Sequence, residues 1–254
     1  MSIRLKTEED LKFLRISGGI LARVLETLME ETRVGVALKA LDARARELLA
    51  AEGATPAFLG YVPEGMIKSY PAAICASLND TIVHGIPGRY VLREGDLLKI
   101  DIGVIHKGYF TDGAATVAVG TVSENAKKLM HATQNALHAG IAACRPGGYT
   151  GDIGFAISEA VKKEKFAVVK GLTGHGVGFS LHEDPSVPNQ GERGRGVKLV
   201  PGLVIAIEPM VSAGSPFAIA MDDESFRTKD GSLSAHFEHT VAITESGVEI
   251  LTQE

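Results

Sequence analysis

The stretch Leu97-Leu98-Lys99-Ile100-Asp101-Ile102-Gly103-Val104-Ile105 places an acid in the middle of an apolar strand. Successive side chains of a strand point to opposite faces, so Ile100 and Ile102 face a core while Asp101 points the other way with Lys99 and Gly103. After His106-Lys107-Gly108, a break of hairpin size, residues 109–119 resume the pattern and carry Asp112. Two later stretches repeat it: 203–211 with Glu208, and 237–244 with Glu238. Aspartate is depleted in strands, and a buried carboxylate is tolerated only when paired or ligated. No comparable set of lysines or arginines lies in these strands, so the acids point to a bound cation.

The two strand pairs resemble each other. Gly95 precedes Asp101 by the same interval as Gly202 precedes Glu208, and Phe110-Thr111-Asp112 stands against Phe237-Glu238. This reads as two related halves around a shared centre. Helical spacing accompanies them. Thr7 with Glu8, Glu9 and Asp10 forms a helix start, followed by Leu11, Leu14, Leu21, Val24, Leu25 and Leu28 on one face. Further helices are predicted over 37–51, 124–144 (capped by Ser123) and 152–165, with 56–71 as an irregular loop. The class is mixed α/β (α+β), and no composition shift marks a linker, so residues 1–254 read as a single domain.

The histidines narrow the chemistry. GHGVG at 174–178 surrounds His175 with glycines that permit close ligand approach, and Leu181-His182 follows. One imidazole with four carboxylates suits a divalent cation such as Mn, Fe, Co or Zn. Carboxylates shared between two such ions would make a two-metal hydrolytic site. His106, His131 and His138 have no such setting and read as structural residues. The net charge of −5 argues against a dedicated nucleic-acid surface. No apolar run reaches the length of a membrane span, and acids stand where a signal peptide would be apolar. Two cysteines, Cys75 and Cys144, form no disulfide framework, so a cytoplasmic protein is expected.

VHGIPG at 83–88, KIDIG at 99–103, TDGAAT at 111–116, GHGVG at 174–178, AIEPMV at 206–211 and SAHFEHT at 234–240 occur together in one order. In that order the chain resembles the type I methionine aminopeptidases of the bacterial, single-domain kind, over nearly its whole length. The resemblance implies a pita-bread fold, two pseudo-symmetric halves around a dinuclear metal centre in one metallopeptidase catalytic domain. It implies that Asp101 chelates one metal, that Asp112 and Glu238 bridge both, and that His175 and Glu208 complete the second, with Thr111 and Thr240 supporting them from behind. In such enzymes a metal-bridging hydroxide attacks the first peptide carbonyl. Glu208 would shuttle protons, His182 would donate to the carbonyl oxygen, and His84 would position the scissile amide. Phe58, Tyr61, Tyr70, Cys75 and Leu181 would form the methionine pocket. The implied substrates are peptides and nascent chains, met at the ribosome, with N-terminal methionine before a small residue. A monomer with two ions of Co, Mn, Fe or Zn is expected.

Three departures stand out. There is no tryptophan to close the pocket, and Glu224 falls near the position where many relatives have one. Leu181 replaces the commoner phenylalanine, and a short insertion separates Tyr61 from Tyr70. Rival readings have less support. Ser180 lies in GFSLH rather than GxSxG, GERGRGVK at 191–198 lacks the phosphate-loop lysine, and HEDPS at 182–186 is not HExxH. A proline-specific aminopeptidase usually carries a separate N-terminal domain, for which 254 residues leave no room. A non-catalytic binding protein on this fold would be expected to have lost ligands, whereas all five positions are filled.

Overall fold

Helix starts follow their capping residues. In α1 (Glu8–Glu31), Asp10 N–H donates to Thr7 Oγ1 and Thr7 N–H to Asp10 Oδ2, a reciprocal box. The helices α2 (Leu38–Ala51), α3 (Glu124–Ala143) and α4 (Thr150–Lys163) begin close to their predicted places, α3 with Ser123 Oγ accepting from Ala126 N–H. The computed structural model describes residues 3–62 and 68–253.

Between α2 and α3 lie β1 (Thr55–Pro56), β2 (Cys75–Leu78), β3 (Thr81–Val83), β4 (Leu97–His106) and β5 (Tyr109–Ala118). After α4 come β6 (Ala167–Val168), β7 (Thr173–Gly176), β8 (Glu183–Pro188), β9 (Val204–Ile207) and β10 (Met210–Ser212). The chain then forms β11 (Ala218–Ala220), β12 (Phe226–Thr228), β13 (Ser234–His236), β14 (Glu238–Thr244) and β15 (Gly247–Ile250). The main antiparallel sheet runs β1-β4-β5-β14-β9-β7-β8, with β2 also on β4 and β15 also on β14. Ile100, Ile102 and Val104 of β4 pack with Leu21, Val24 and Leu28 of α1 and with the apolar face of α2. In the other half, Ile205, Ile207, Val241 and Ile243 pack with residues of α3 and α4. Each half therefore shields one face of the sheet with a helix pair. The other face of the strands carries the acids.

The structure departs from the sequence reading in several places. The predicted strand over 203–211 breaks at Glu208-Pro209, because proline has no N–H for the ladder. β9 stays in the main sheet, while β10 joins a separate sheet ordered β13-β10-β6. Thr55 and Pro56, the latter the first residue of the expected loop, pair with β4 at the sheet edge, where proline is tolerated. The loop is closed by Gly60 N–H to Tyr70 O at 2.9 Å and Tyr70 N–H to Tyr61 O at 2.8 Å. Residues 63–67, within the interval that carries the insertion, lie outside the described residues. Thr111 turns away from the acids and pairs with the Ser17 hydroxyl of α1 at 2.9 Å.

The N-terminal segment fixes the loop before β8. Lys6 N–H donates to Gly202 O, and its ammonium lies 2.6 Å from Glu183 Oε2, with the two side chains only 1% and 9% exposed. Glu183 Oε1 accepts from the backbone N–H groups of Phe179 and Ser180. Glu183 follows His182 directly, so this buried pair sets the path of the chain that presents His182. Removing one partner of a buried pair strands the other charge. Lys6→Met is expected to lower the unfolding free energy by about 3 kcal/mol, measured by urea denaturation at neutral pH.

Candidate metal centre and substrate pocket

Strand register brings the acids together. Asp101 stands opposite Ala114 of β5, and Ala114 stands opposite Glu238 of β14. Directly opposed residues share a face, so two acids flank one small side chain, and Asp112, two residues from Ala114, joins them. The Oγ1 of Thr240 accepts from Asp112 N–H at 2.9 Å and donates to Asp112 O at 2.8 Å, tying β5 to β14 at that level. Thr240 thus supports Asp112 through the backbone, whereas Thr111 does not face the site. Glu208 follows Ile207, the last β9 residue paired with β14, and therefore faces Glu238. His175 arrives on β7, whose Gly176 pairs with Ile205 of β9.

The ligand-type atoms of Asp101, Asp112 and Glu238 all lie within 4.8 Å of one another, as do those of His175, Glu208 and Glu238. Asp112, His175 and His182 form a third such group. His175 Nε2 is 3.5 Å from Glu208 Oε1 and 3.8 Å from Asp112 Oδ2. Its Nδ1 lies 2.9 Å from Gly176 O, so Nδ1–H donates there and the Nε2 lone pair faces the carboxylates. Asp101 Oδ1 and Glu238 Oε1 are buried without a hydrogen-bond partner among the described residues.

Burial governs the charges. It pushes the Asp112 carboxyl up to about 7. Burial and then mutual repulsion hold Asp101, Glu208 and Glu238 well above the usual carboxylate range. Desolvation lowers His175 to about 4 and His182 to about 3, so both rings are neutral and can serve as ligands or hydrogen-bond donors. Orphaned oxygens, carboxyls that retain protons and one imidazole lone pair are what a hard-to-borderline divalent cation would satisfy.

The acids form the floor of a cavity of about 380 Å³ whose walls include Phe58, Tyr61, Tyr70, Cys75 and Leu181, all five pocket candidates. Gly103 lets this wall pack closely on β4: a Cβ there would lie 2.8 Å from both Ala57 Cβ and Phe58 Cε1 and 3.2 Å from Leu181 Cδ1. Tyr70 O–H donates to Gly85 O at 2.9 Å, and the Phe58 and Tyr70 rings meet edge to face. His84 and His182 also line the cavity. His84 is held at φ 61°, in the left-handed region, and packs against Phe226 at 5.7 Å between ring centroids. His182 stands perpendicular to His175 at 4.4 Å, and its Nδ1 is 2.7 Å from the Tyr61 hydroxyl. Glu224 lies on the cavity wall with Asp223.

Two polar residues were not singled out from the sequence. Lys99 lies on the acid-bearing side of β4, almost fully buried, and donates to Asn79 O at 2.6 Å and Ser234 O at 3.2 Å. Desolvation lowers its ammonium to about 7. The strands therefore do contain one buried cation, but it is aimed at backbone carbonyls. His236 is the other. It lies two positions before Glu238, and the alternation applied to Asp101 and Gly103 would have placed it at the site.

Residues 12–245 match the model of metallopeptidase family M24. The chain is 43% identical over 249 residues to methionine aminopeptidase 1 of Bacillus subtilis, covering 98% of each protein. It superimposes on the crystal structure of methionine aminopeptidase from Thermotoga maritima with a TM-score of 0.95 at 38% identity, covering all of both chains. For the enzyme from Rickettsia prowazekii the TM-score is 0.94 at 36% identity, over 99% of this chain and 100% of that one. The curled sheet with its two helix pairs is thus the pita-bread fold of these proteins. With the family model spanning most of its length and relatives this similar from end to end, the chain belongs to metallopeptidase family M24.

Proposed function

We propose that the chain is a metal-dependent aminopeptidase that hydrolyses N-terminal methionine from peptides and nascent proteins with a small second residue. The observation that carries this reading is the set Asp101, Asp112, His175, Glu208 and Glu238 on the floor of an apolar cavity with two neutral histidines in its wall. Asp101, Asp112, His175, Glu208 and Glu238 would together hold two ions. Mn, Fe, Co and Zn all suit this donor set. When bound, such ions supply Lewis-acid polarisation and acidify a water that serves as the nucleophile.

The protein's own groups do the remainder. Phe58, Tyr61, Tyr70, Cys75 and Leu181 enclose the methionine side chain, with Phe58 and Leu181 seated against Gly103. A Tyr61 O–H donated to His182 Nδ1 would place the proton of that ring on Nε2, from which it can be donated to the carbonyl oxygen as charge develops. His84, fixed by its backbone and by Phe226, orients the scissile amide. Glu208 takes a proton from the attacking water and delivers it to the leaving amine. Among the described residues no helix is long and apolar enough to cross a membrane, and both cysteines are free. The free cysteines fit a reducing compartment, and the proposal takes the chain as a monomeric cytoplasmic enzyme, one catalytic domain over 1–254, acting on chains as they leave the ribosome.

Chelation is expected to abolish cleavage of a Met-Ala peptide, and separate addition of Mn, Fe, Co or Zn to restore it with at least one metal. Failure of all four would overturn the proposal. Glu208→Gln should lower kcat by about 10²–10⁴-fold. His182→Ala should lower it by about 10²-fold or more while bound metal, measured by elemental analysis, stays unchanged.

The raised carboxyls also set a pH dependence. Groups that retain protons in the metal-free centre must release them when a cation binds, so affinity rises with pH. Asp112, at about 7, sets the window, and His175, already neutral above about 4, does not compete within it. Calorimetric titration with Mn(II) should show tighter binding at about pH 8 than at about pH 6, with net proton release on binding.

A further inference from the structure

Glu208 lies between two imidazoles. His175 Nε2 approaches its Oε1 at 3.5 Å, and His236 Nε2 approaches its Oε2 at 3.4 Å. The second ring is also 3.9 Å from Glu238 Oε2. His236 is 1% exposed, and neither of its ring nitrogens has a hydrogen-bond partner among the described residues. A buried polar group left in that state needs a physical reason.

The ring is held firmly in this place. His236 N–H donates to Thr116 Oγ1 at 2.9 Å, and Thr116 Oγ1 donates to His236 O at 2.7 Å. On the other side the residue pairs with Met210 in the β10–β13 ladder. The backbone is therefore fixed from both sides, and the side chain shares the face of Glu238.

The two imidazoles differ in what their far nitrogens meet. His175 Nδ1–H has the Gly176 carbonyl, which leaves Nε2 as a lone pair suited to a cation. Among the described residues His236 Nδ1 meets no carbonyl that would hold its proton on that side. Ionised carboxylates accept only, and the nitrogen facing them must then carry the hydrogen. With a cation bound, the same carboxylate would have a lone-pair donor on one side and an N–H donor on the other.

We propose that His236 is a positioning residue, whose Nε2–H holds Glu208 Oε2 and so keeps Oε1 turned toward His175 and the ion they share. It is neither a metal ligand nor a proton carrier. The 3.4 Å separation is a loose contact, as such contacts commonly are in an enzyme that is not loaded. The proposal rests on the assignment of Glu208 to the metal centre.

The test compares His236→Gln, which retains an N–H of similar reach, with His236→Leu, which has none, and His236→Asn, whose amide is too short. Mn(II) affinity and stoichiometry of the metal-free proteins are measured by calorimetry, and kcat and KM on a Met-Ala peptide with Mn(II) loaded. His236→Leu and His236→Asn should bind Mn(II) about 10-fold or more weakly, with the same number of equivalents, and lose about 10–100-fold in kcat at nearly unchanged KM. His236→Gln should stay within about 3-fold of the parent in both, well inside the loss expected when the donor is removed. Loss of an equivalent in His236→Leu would make the residue a ligand and overturn the proposal. So would a His236→Gln as impaired as His236→Leu, or a His236→Leu and His236→Asn indistinguishable from the parent. If His236→Leu does not fold, the contrast between Gln and Asn decides. Glu208→Gln serves as the separate control: unchanged Mn(II) affinity there would remove Glu208 from the metal centre, independently of what His236 does.

Discussion

Four carboxyl groups share one enclosed face of an antiparallel sheet, and this concentration of potential negative charge is the constraint around which the molecule is arranged. Desolvation and mutual repulsion make their simultaneous ionisation unfavourable in the absence of a cation. The register that places Asp101 and Glu238 on either side of Ala114 is nevertheless fixed by the opposite face, where isoleucines and valines pack on the helix pairs. A slip of one residue would turn the acids into the apolar layer and the isoleucines into the cavity. The hydrophobic core thereby holds the acids in a geometry that favours a divalent ion over their own separation.

Surrounding contacts serve precision more than charge balance. Lys99 lies on the same side of the strand as Asp101, yet its ammonium takes carbonyl partners from Asn79 and Ser234. It ties the turn after β2 to the start of β13, the strand that leads into Glu238. Thr240 closes a gap between β5 and β14 with a reciprocal pair of bonds to the Asp112 backbone. Glu183 and Lys6 act in the same way on the loop that bears His182. Each contact fixes backbone, and the backbone then aims a side chain.

Much of this was legible in the sequence because its signals are local. The Thr7–Asp10 box, the apolar spacing of α1 and the alternation through Asp101 each require only a few adjacent residues. The five pocket candidates came from resemblance, and all line the cavity. Other features depend on what a residue meets across the fold. Thr111 and Thr240 have the same chemistry, but one faces Ser17 of α1 and the other faces Asp112. β7 and β8 contain glycine, proline and acids, so strand propensity hardly marks them; pairing with β9 defines β7. The break at Pro209 was visible in principle, since a proline inside a predicted central strand argues against that strand.

The order of strands in the sheet has a consequence for how the protein is made. β14 inserts between β5 and β9, although it is nearly the last strand to be synthesised. Contacts between residues so distant along the chain are slow to form. Until that strand is in place, Asp101 and Asp112 lack Glu238 beside them and the cavity has no complete floor. During its own synthesis the polypeptide therefore passes through an interval with an unfinished sheet and without the full set of acids that would hold a metal. Metal loading becomes one of the final events of maturation, and a chain cut short near its C-terminus would be both inactive and open to aggregation along the bare edge of β5.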